Sequence, residues 1–380
     1  MSWKVTKIKD FEDEDKREVI SMASADDLLV VGQSGWSGAA RVYDLNHGEF
    51  KFVLKGSNLD DRPEPFSHDS IHVWINGENI FTFGANDNTF IIWDREGNAL
   101  AKDLHKDKEA HEELARIKAM EEEEYNAFIA SKIAGMDEMD AMQYAMQIGF
   151  GIVPNERTIQ SLTLGSNGTF YVGTETELLA MSKDGENWKI TNEVKLGFGL
   201  DQLATDGDWM LTGKCEEEQS VLRFLDKLNG KLSDDGESLT VGKFSDMKLV
   251  YPYVFTYGMP EDNHEYKGVK IWNIQSGELV RHLLKGEKQY EFLDTNGEFI
   301  VICEEIHSWV SGEEIDLKLA VYNIGQLVDK SIEEENLWSF SSIYSVRDLG
   351  VERILACFNN NKLIVNHGAS KFSVFEIEEN

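Results

Sequence analysis

The chain has 380 residues, of which 41% are apolar, so it is long enough and apolar enough to bury a large core. None of its apolar runs reaches the roughly 18 to 20 residues that a membrane-spanning helix needs. Its 69 acidic and 37 basic residues give a net charge of −32, which opposes the phosphate backbone of nucleic acids and the anionic inner leaflet of membranes. We therefore expect no nucleic acid and no membrane as a direct partner, whereas a basic protein partner is compatible with this charge.

One strand pattern repeats along the chain. β-Forming residues lead to an aromatic residue and then to a short polar residue where a turn should begin. The copies lie at residues 40–44, 89–94, 268–273, 318–323 and 371–376. The step from Tyr43 to Trp93, and again from Trp272 to Tyr322, is 50 residues, which suits a four-stranded propeller blade with its loops. Each copy is therefore predicted to be the third strand of a blade.

The other strands of each blade are predicted from alternating apolar and polar residues. In chain order the blades are predicted at residues 18–55, 70–104, 159–192, 200–238, 244–286, 288–330 and 353–377. We count seven blades, with six or eight as the alternatives. The last blade has only three strands, and an extra strand at residues 3–9 lies at the N-terminus. We predict that this strand becomes the outer strand of the last blade, because ring closure pairs two otherwise exposed sheet edges.

Between the second and third blades the pattern changes from strands to helices. Residues 106–148 contain no proline, and the apolar residues of 114–136 follow helical spacing. Gly135 is expected to end this helix, and Asp137 to begin a shorter one. The sequence therefore predicts one all-β propeller domain with a helical hairpin as an insert. Residues 1–104 form the closing strand and blades 1 and 2, residues 105–150 the helical insertion, and residues 151–380 blades 3 to 7.

The shorter helix carries a stripe of methionines at steps of three and four. These residues are Met139, Met142 and Met146. In one interpretation they pack on the longer helix or on the propeller, because methionine fills gaps in cores. In the other they form a partner-binding surface, because flexible side chains adapt to several partners.

Third strands that end in an aromatic residue, the Trp93-Asp94 pair and closure by an N-terminal strand together resemble the WD-repeat family. The resemblance covers nearly the whole chain. Residues 182–188 also resemble the Asp-box turn of sialidase-like propellers, in which the Asp caps a turn and the Trp packs between sheets. That box is structural, so a single copy predicts a turn between the third and fourth strands rather than a glycosidase.

Motifs for catalysis are missing from the sequence, which has no phosphate loop, no Gly-x-Ser-x-Gly, no His-Glu-x-x-His and no paired-cysteine metal site. We therefore predict a non-enzymatic protein without a cofactor, and nominate no catalytic, cofactor-binding or metal-binding residue. A propeller enzyme or small-ligand receptor that uses the axial pocket is the alternative, because such sites are assembled from several blades.

Loop lengths distinguish the two faces of the predicted ring. In a WD-like blade the first-to-second and third-to-fourth connections lie on one face, here called the turn face. The second-to-third and blade-to-blade connections lie on the other, here called the loop face. Long connections at 57–69, 259–267, 304–316 and 325–342, and the helical insert, are all predicted for the loop face. Long loops on a rigid scaffold often carry function.

We therefore predict a scaffold or adaptor that binds a protein or peptide through the loop face and that can belong to a larger complex. Aromatic side chains dominate interface energetics, so loop aromatics and nearby histidines are the nominated contacts. These are Trp36, His264, Tyr266, His307 and Trp309, together with the methionine stripe. The alternative for each aromatic is a side chain folded onto the rim of the propeller.

Cysteine usage and the start of the chain predict the compartment. The three cysteines are odd in number, and Cys303 and Cys357 lie in apolar strand-like runs, as buried free thiols do. The first residues show no long apolar segment, so we expect no secretory signal. We predict an intracellular protein, cytoplasmic rather than nuclear.

Overall fold

Seven four-stranded antiparallel sheets form a closed propeller in the part of the chain that the structure describes. The structure is a computed structural model. It describes residues 3–15, 17–34, 39–54, 71–85, 88–106, 108–150, 157–196, 199–207, 209–215, 219–226, 238–242, 244, 246–258, 268–283, 289–306, 316–345, 354–368 and 370–380. The predicted all-β fold, the count of seven blades and the order of strands are confirmed.

The strands are numbered in chain order, and each blade runs from the axis outward. The closing strand is β1 (Trp3–Glu12). Blade 1 contains β2 (Val19–Ala25), β3 (Leu28–Gln33), β4 (Ala40–Asp44) and β5 (Glu49–Val53). Blade 2 contains β6 (Ile71–Ile75), β7 (Asn79–Gly84), β8 (Thr89–Asp94) and β9 (Ala99–Lys102). Blade 3 contains β10 (Ile159–Leu164), β11 (Phe170–Thr174), β12 (Glu177–Asp184) and β13 (Asn187–Lys195).

The remaining blades follow the same plan. Blade 4 contains β14 (Gln202–Asp206), β15 (Trp209–Cys215), β16 (Gln219–Asp226) and β17 (Ser238–Gly242). Blade 5 contains β18 (Asp246–Val250), β19 (Tyr253–Gly258), β20 (Gly268–Asn273) and β21 (Glu278–Leu283). Blade 6 contains β22 (Gln289–Thr295), β23 (Phe299–Ile306), β24 (Asp316–Asn323) and β25 (Ser339–Ser345). Blade 7 contains β26 (Leu355–Asn359), β27 (Lys362–Asn366) and β28 (Lys371–Glu379), with β1 outside β28.

The predicted ring closure is confirmed. Strand β1 pairs antiparallel with β28 from Trp3 opposite Glu379 to Glu12 opposite Lys371, with a bulge between Lys7 and Lys9. The N-terminal strand therefore satisfies the outer edge of the last blade, and no separate strand from another blade is needed there.

Neighbouring blades are joined near the axis by side chains of the innermost strands. In four places such a side chain accepts a hydrogen bond from a backbone N–H of the next blade, over 2.7 to 3.1 Å. The accepting residues are Ser21, Ser161, Asp206 and Asp294, and the donors are the N–H groups of Val73, Leu203, Tyr251 and Phe358. These bonds fix the order and spacing of the sheets around the axis.

Apolar side chains fill the space between the sheets. Phe81 of blade 2 stacks on Phe170 of blade 3 with ring centroids 4.7 Å apart, and both are fully buried. Trp188 meets the edge of Phe81 at 5.4 Å. It follows the turn at Gly185, whose φ is +63°, so the Asp-box-like segment is confirmed as a third-to-fourth-strand turn. The repeated aromatic is structural as well, because the buried Trp93 donates its indole Nε1–H to Thr82 Oγ1 at 2.9 Å.

The insert contains three helices instead of the predicted two. They are α1 (Lys108–Lys118), α2 (Glu122–Ile133) and α3 (Glu138–Phe150). The predicted long helix breaks between α1 and α2, because Tyr125, Phe128 and Ile129 of α2 then pack back against a small core of their own. The buried members of that core are Leu114, Ile117 and Ile148. No strand of the ring lies inside the insert, and none of the described helices is long and apolar enough to span a membrane.

One connection predicted for the loop face lies on the other face. Residues 324–338 join β24 to β25, which are the third and fourth strands of blade 6, so they emerge at the turn face. The prediction was wrong because it ended blade 6 at residue 330 and missed the fourth strand. Within this connection, Ile324 and Leu327 of α4 (Ile324–Val328) are buried against apolar residues of blades 5 and 6. This connection therefore completes the apolar core between blades 5 and 6.

A buried charge cluster fastens the segment after the closing strand to blade 1. The Arg41 guanidinium donates to Asp13 Oδ2 at 2.5 Å and to Asp15 Oδ2 at 3.2 Å, and it lies 4.1 Å from the ring centroid of Phe50. The side chains of Arg41 and Asp13 are only 10% and 8% exposed. The hydrogen bond from Arg17 holds the pKa of Asp15 down at about 2, against burial, which would raise it. This cluster therefore ties the end of the closing segment to the first blade.

Replacing Arg41 with leucine should lower the free energy of unfolding by about 3–5 kcal/mol, because it takes the guanidinium away from the buried carboxylate of Asp13. Arg95 is the matched control, since it also pairs with two aspartates, Asp26 and Asp27, but those are 63% and 42% exposed. Arg95→Leu should cost about 1 kcal/mol or less. Equilibrium urea unfolding of both variants measures the difference. Equal losses in the two variants would contradict this account of the Arg41 cluster.

Candidate functional site

The axis of the propeller contains a cavity of about 540 Å³. Innermost strands of six blades line it together with Phe83 of β7, and most of the lining residues lie within the first three positions of those innermost strands. Every innermost strand begins where a blade-to-blade connection arrives, so the cavity lies at the loop-face end of the axis. Its polar lining residues are Ser21, His72, Gln160, Ser161, Asp201, Gln202, Asp246 and Lys248.

The charge of Lys248 in the cavity lining acts on two carboxyl groups, that of Asp246 in the same lining and that of Asp294 outside it. Asp246 and Lys248 are two residues apart on β18, so their side chains point to the same side of the sheet. Burial raises the pKa of Asp246, and the charge of Lys248 offsets only part of this rise. Burial likewise raises the pKa of Asp294 on β22, where the N–H of Phe358 and the charge of Lys248 again act in the opposite direction. Lys248 is therefore the cation that these two carboxyl groups share.

Four other polar lining residues also make contacts within the propeller. Lys214 donates to Asp201 Oδ1 at 2.9 Å, and the His72 ring lies 6.4 Å from Trp74 and 6.5 Å from Phe83. The hydroxyls of Ser21 and Ser161 accept the inter-blade hydrogen bonds, so they serve the ring and are poorly suited to act as nucleophiles. The cavity can bind a small polar molecule, but it shows no nucleophile activated by a neighbouring base among the described residues.

A second cluster has the residue types of a hydrolase triad but a different geometry. Ser373 donates to Asp10 Oδ1 at 2.5 Å and lies 2.8 Å from His367 Nε2. In catalytic triads the histidine stands between the other two residues. Here the serine stands in the middle and is only 1% exposed, so the cluster holds the closing strand in place. The described residues contain no group of three histidine, cysteine or carboxylate side chains arranged to hold a metal ion.

Five of the nominated contact residues lie outside the described part of the chain. They are Trp36, His264, Tyr266, His307 and Trp309. Their nomination therefore stays a prediction. The burial predicted for the thiols of Cys303 and Cys357 is confirmed.

The methionine stripe is described, and it faces solvent. Met139, Met142 and Met146 are 76%, 62% and 50% exposed. The core of the insert is formed by other residues of α3, chiefly Tyr144 and Ile148. The interpretation in which these methionines pack on the longer helix or on the propeller is wrong, because the opposite side of α3 performs that packing.

Both ends of the insert are fixed to blades 2 and 3. At the exit, Asp103 Oδ1 accepts from the N–H of Phe90 at 2.8 Å. At the return, the side-chain amide of Asn88 donates to the carbonyl oxygen of Arg157 at 2.9 Å and accepts from the N–H of Ile159 at 3.1 Å. These hydrogen-bonded strand ends of blades 2 and 3 form the base of the insert on the loop face.

A fully buried histidine lies at this base. His105 is 0% exposed, and neither ring nitrogen makes a hydrogen bond of normal geometry with the described residues. Burial lowers the pKa of His105 to about 3, and the charge of Lys106 adds to this effect, whereas the backbone of Asn88 acts more weakly in the opposite direction. The imidazole is therefore neutral at physiological pH.

Sequence reasoning missed the axial residues and His105. The polar lining residues lie within the first three positions of innermost strands or just before them, so aligning the blades by their third strands would have brought Asp201, Asp246 and Lys248 to the same end of the axis. His105 carried no comparable signal, because it lies between a strand and a helix in a polar stretch.

The fold is that of WD40 propellers. Over 99% of this chain and 86% of the other, the structure is similar to the WD40 domain of Toxoplasma gondii coronin, with a TM-score of 0.55 and 9% identity. Over 98% of this chain and 95% of the other, it is similar to the Dos1 propeller, with a TM-score of 0.54 and 10% identity. No protein-family model and no curated protein matches the chain by sequence. At these identities the similarity shows the fold alone, and the predicted WD-repeat resemblance is confirmed at that level.

His105 should make the protein less stable as the pH falls below about 6.5. The folded-state pKa lies below the ordinary value of 6.5, so the unfolded chain takes up a proton first and unfolding becomes more favourable between about pH 6.5 and pH 3. From pH 7 to pH 5.5 this loss should amount to about 1 kcal/mol.

The variant His105→Leu should lose this part of the pH dependence. Urea unfolding of the wild type and the variant at pH 7, 6.25 and 5.5, values spaced to bracket the ordinary histidine pKa, measures the difference in slope. Parallel pH profiles for the two proteins would show that His105 is not buried in its neutral form.

Proposed function

We propose that this protein is a non-catalytic intracellular scaffold, cytoplasmic rather than nuclear, that binds protein partners through its loop face. WD40 propellers generally serve as protein-interaction scaffolds. The observation that carries the proposal is the exposed methionine stripe. Three large apolar side chains face solvent on a helical unit that has its own core and a hydrogen-bonded base on the loop face. Exposed apolar surface of this kind marks interaction sites.

The loop aromatics extend this proposed surface. Tyr266 belongs to the second-to-third connection of blade 5, and Trp309 to that of blade 6. Trp36 belongs to the same connection of blade 1. All three connections open on the loop face, which also carries the insert. We therefore propose that they form one interaction surface with the methionine stripe, with His264 and His307 as polar contacts, and that the protein takes part in a larger complex.

Partner capture from a cell extract should depend on the loop face. Two variants test this: the double variant Trp309→Ala with Tyr266→Ala, and a variant with all three stripe methionines changed to glutamine. We expect each to recover less of the partners than the wild type does. Loss of a central interface aromatic typically costs 2 kcal/mol or more, which is a roughly 30-fold loss of affinity. Quantitative mass spectrometry after brief cross-linking measures the recovery.

The matched control is Trp209→Ala. Trp209 is 39% exposed and stacks on Tyr251 with ring centroids 4.1 Å apart, and it follows a first-to-second connection on the turn face. This change should leave partner recovery at the wild-type level. Equal recovery by every variant, with folding intact, would remove the loop face as the working surface.

A small-ligand receptor is the second candidate, because polar groups from several blades converge on the axial cavity. A small polar ligand at about 100 times its Kd should stabilise the folded protein by about 2.7 kcal/mol, and so raise the thermal midpoint by a few degrees. Thermal-shift screening of polar metabolites tests this, with Lys248→Met as the variant that should lose the response. A screen without stabilising compounds, or a shift that Lys248→Met retains, would count against the receptor.

A further inference from the structure

We propose that the methionine stripe binds a basic amphipathic helix of a partner protein. This inference rests on the proposed function and adds the chemistry of the partner. Its evidence lies in the described helices of the insert: the separation of two faces on α3, the spacing of the methionines, and the sign of the charges beside them.

Helix α3 has two apolar faces, and only one is used by the insert. The face toward the insert's core contains half-buried or buried residues spaced by three, one and three positions: Ala141, Tyr144, Ala145 and Ile148. The methionines lie at steps of three and four on the other face, and Met136, just before α3, is 42% exposed. A helix that is apolar on two sides, with one side in water, has surface available for a second packing partner.

The dimensions of the stripe suit a helix. Met139 to Met146 spans seven positions, which is about 10 Å at 1.5 Å per residue, or two turns. A partner helix presents anchors at i, i+3 or i+4, and i+7 over the same length. Unbranched thioether side chains adjust to the shape of such anchors, which is why methionine is frequent on helix-binding surfaces.

The charges around the stripe specify a basic partner. No lysine or arginine occurs between Lys132 and Arg157, whereas Asp137, Glu138 and Asp140 lie at the start of the stripe. Glu138 and Asp140 are exposed, and Asp137 caps α3 by accepting from the N–H of Met139 at 3.0 Å and of Asp140 at 2.9 Å. An acidic or neutral helix would gain no electrostatic attraction at this surface, and a helix with lysine or arginine beside its apolar face would.

The test uses the full-length protein and a fluorescent synthetic helix of roughly 18 residues, or five turns, made of leucine and lysine with leucine on one face. Fluorescence anisotropy gives the Kd. Changing Met139, Met142 and Met146 together to glutamine should weaken binding at least tenfold, whereas Leu100→Gln should not change it. Leu100 is the matched control because it is 42% exposed on the propeller, outside the insert.

Two comparisons separate the apolar contact from the general attraction of a protein with net charge −32 for any basic peptide. A scrambled peptide of the same composition without an apolar face should bind at least tenfold more weakly. The double change Glu138→Gln with Asp140→Asn should weaken binding several-fold, whereas Glu109→Gln with Glu112→Gln on α1 should have a smaller effect. The single variant Met139→Gln, at the most exposed position of the stripe, should lose part of the peptide affinity. It is the control for the case in which the triple variant misfolds.

Equal binding of the ordered and scrambled peptides, or an unchanged Kd in the triple methionine variant, would overturn the proposal. Concentration-dependent dimerisation of the wild type that the triple change abolishes, seen by sedimentation velocity, would also overturn it, because a second copy would then cover the stripe. The two proposals can fail separately. If the peptide shows no specific binding, the partner capture that depends on the loop aromatics is unaffected. If the capture experiment fails, the peptide result is unaffected.

Discussion

The pairing of β1 with β28 is the constraint on which the whole ring depends. Seven sheets arranged around an axis leave each outermost edge in solvent, but only the last blade is built from both ends of the described chain. Its outer strand is β1, so blade 7 becomes complete only when β1 meets β28. The Arg41 cluster then fixes the segment that leads from this strand to blade 1, and the Ser373, Asp10 and His367 contacts fix the strand itself.

The common direction of the innermost strands explains why the two faces of the molecule differ. All innermost strands run in the same direction, so every first-to-second turn lies on one face and every blade-to-blade connection lies on the other. On the turn face, side chains such as Asn76 and Asn296 accept hydrogen bonds from backbone N–H groups two and three residues later, which keeps the turns short. The helical insert and the axial cavity lie on the opposite face, for which the loop aromatics are also predicted. The proposed interaction surface is therefore a consequence of strand direction as much as of side-chain chemistry.

Most of the fold could be predicted from the sequence, because the strand period and the repeated aromatic act locally. The closing strand was predictable by counting, since the last blade had three strands and an unassigned one remained. The break between α1 and α2 was not, because residues 119–121 contain no glycine or proline and the helical spacing continues through them. Only the packing of Tyr125 and Phe128 back onto Leu114 requires a turn there.

Of the candidate site, the sequence identified the methionine stripe but could not choose between its two interpretations. That choice depends on which side of α3 meets the insert's core, and both sides are apolar. The axial residues were missed for a different reason. Asp201, Asp246 and Lys248 come from two blades, and nothing in their local sequence distinguishes them from ordinary polar positions on a strand.

The antiparallel register of β1 and β28 also determines how the ring would respond to force. Trp3 lies opposite Glu379, so the start of β1 and the end of β28 are at the same end of the pair. Tension between these two residues would peel the strands apart one hydrogen bond at a time, whereas a parallel pair would load its bonds together in shear. The β1–β28 pair therefore resists thermal opening, because many hydrogen bonds act together. A small force applied between Trp3 and Glu379 would nevertheless separate the two strands, because it breaks these bonds one after another.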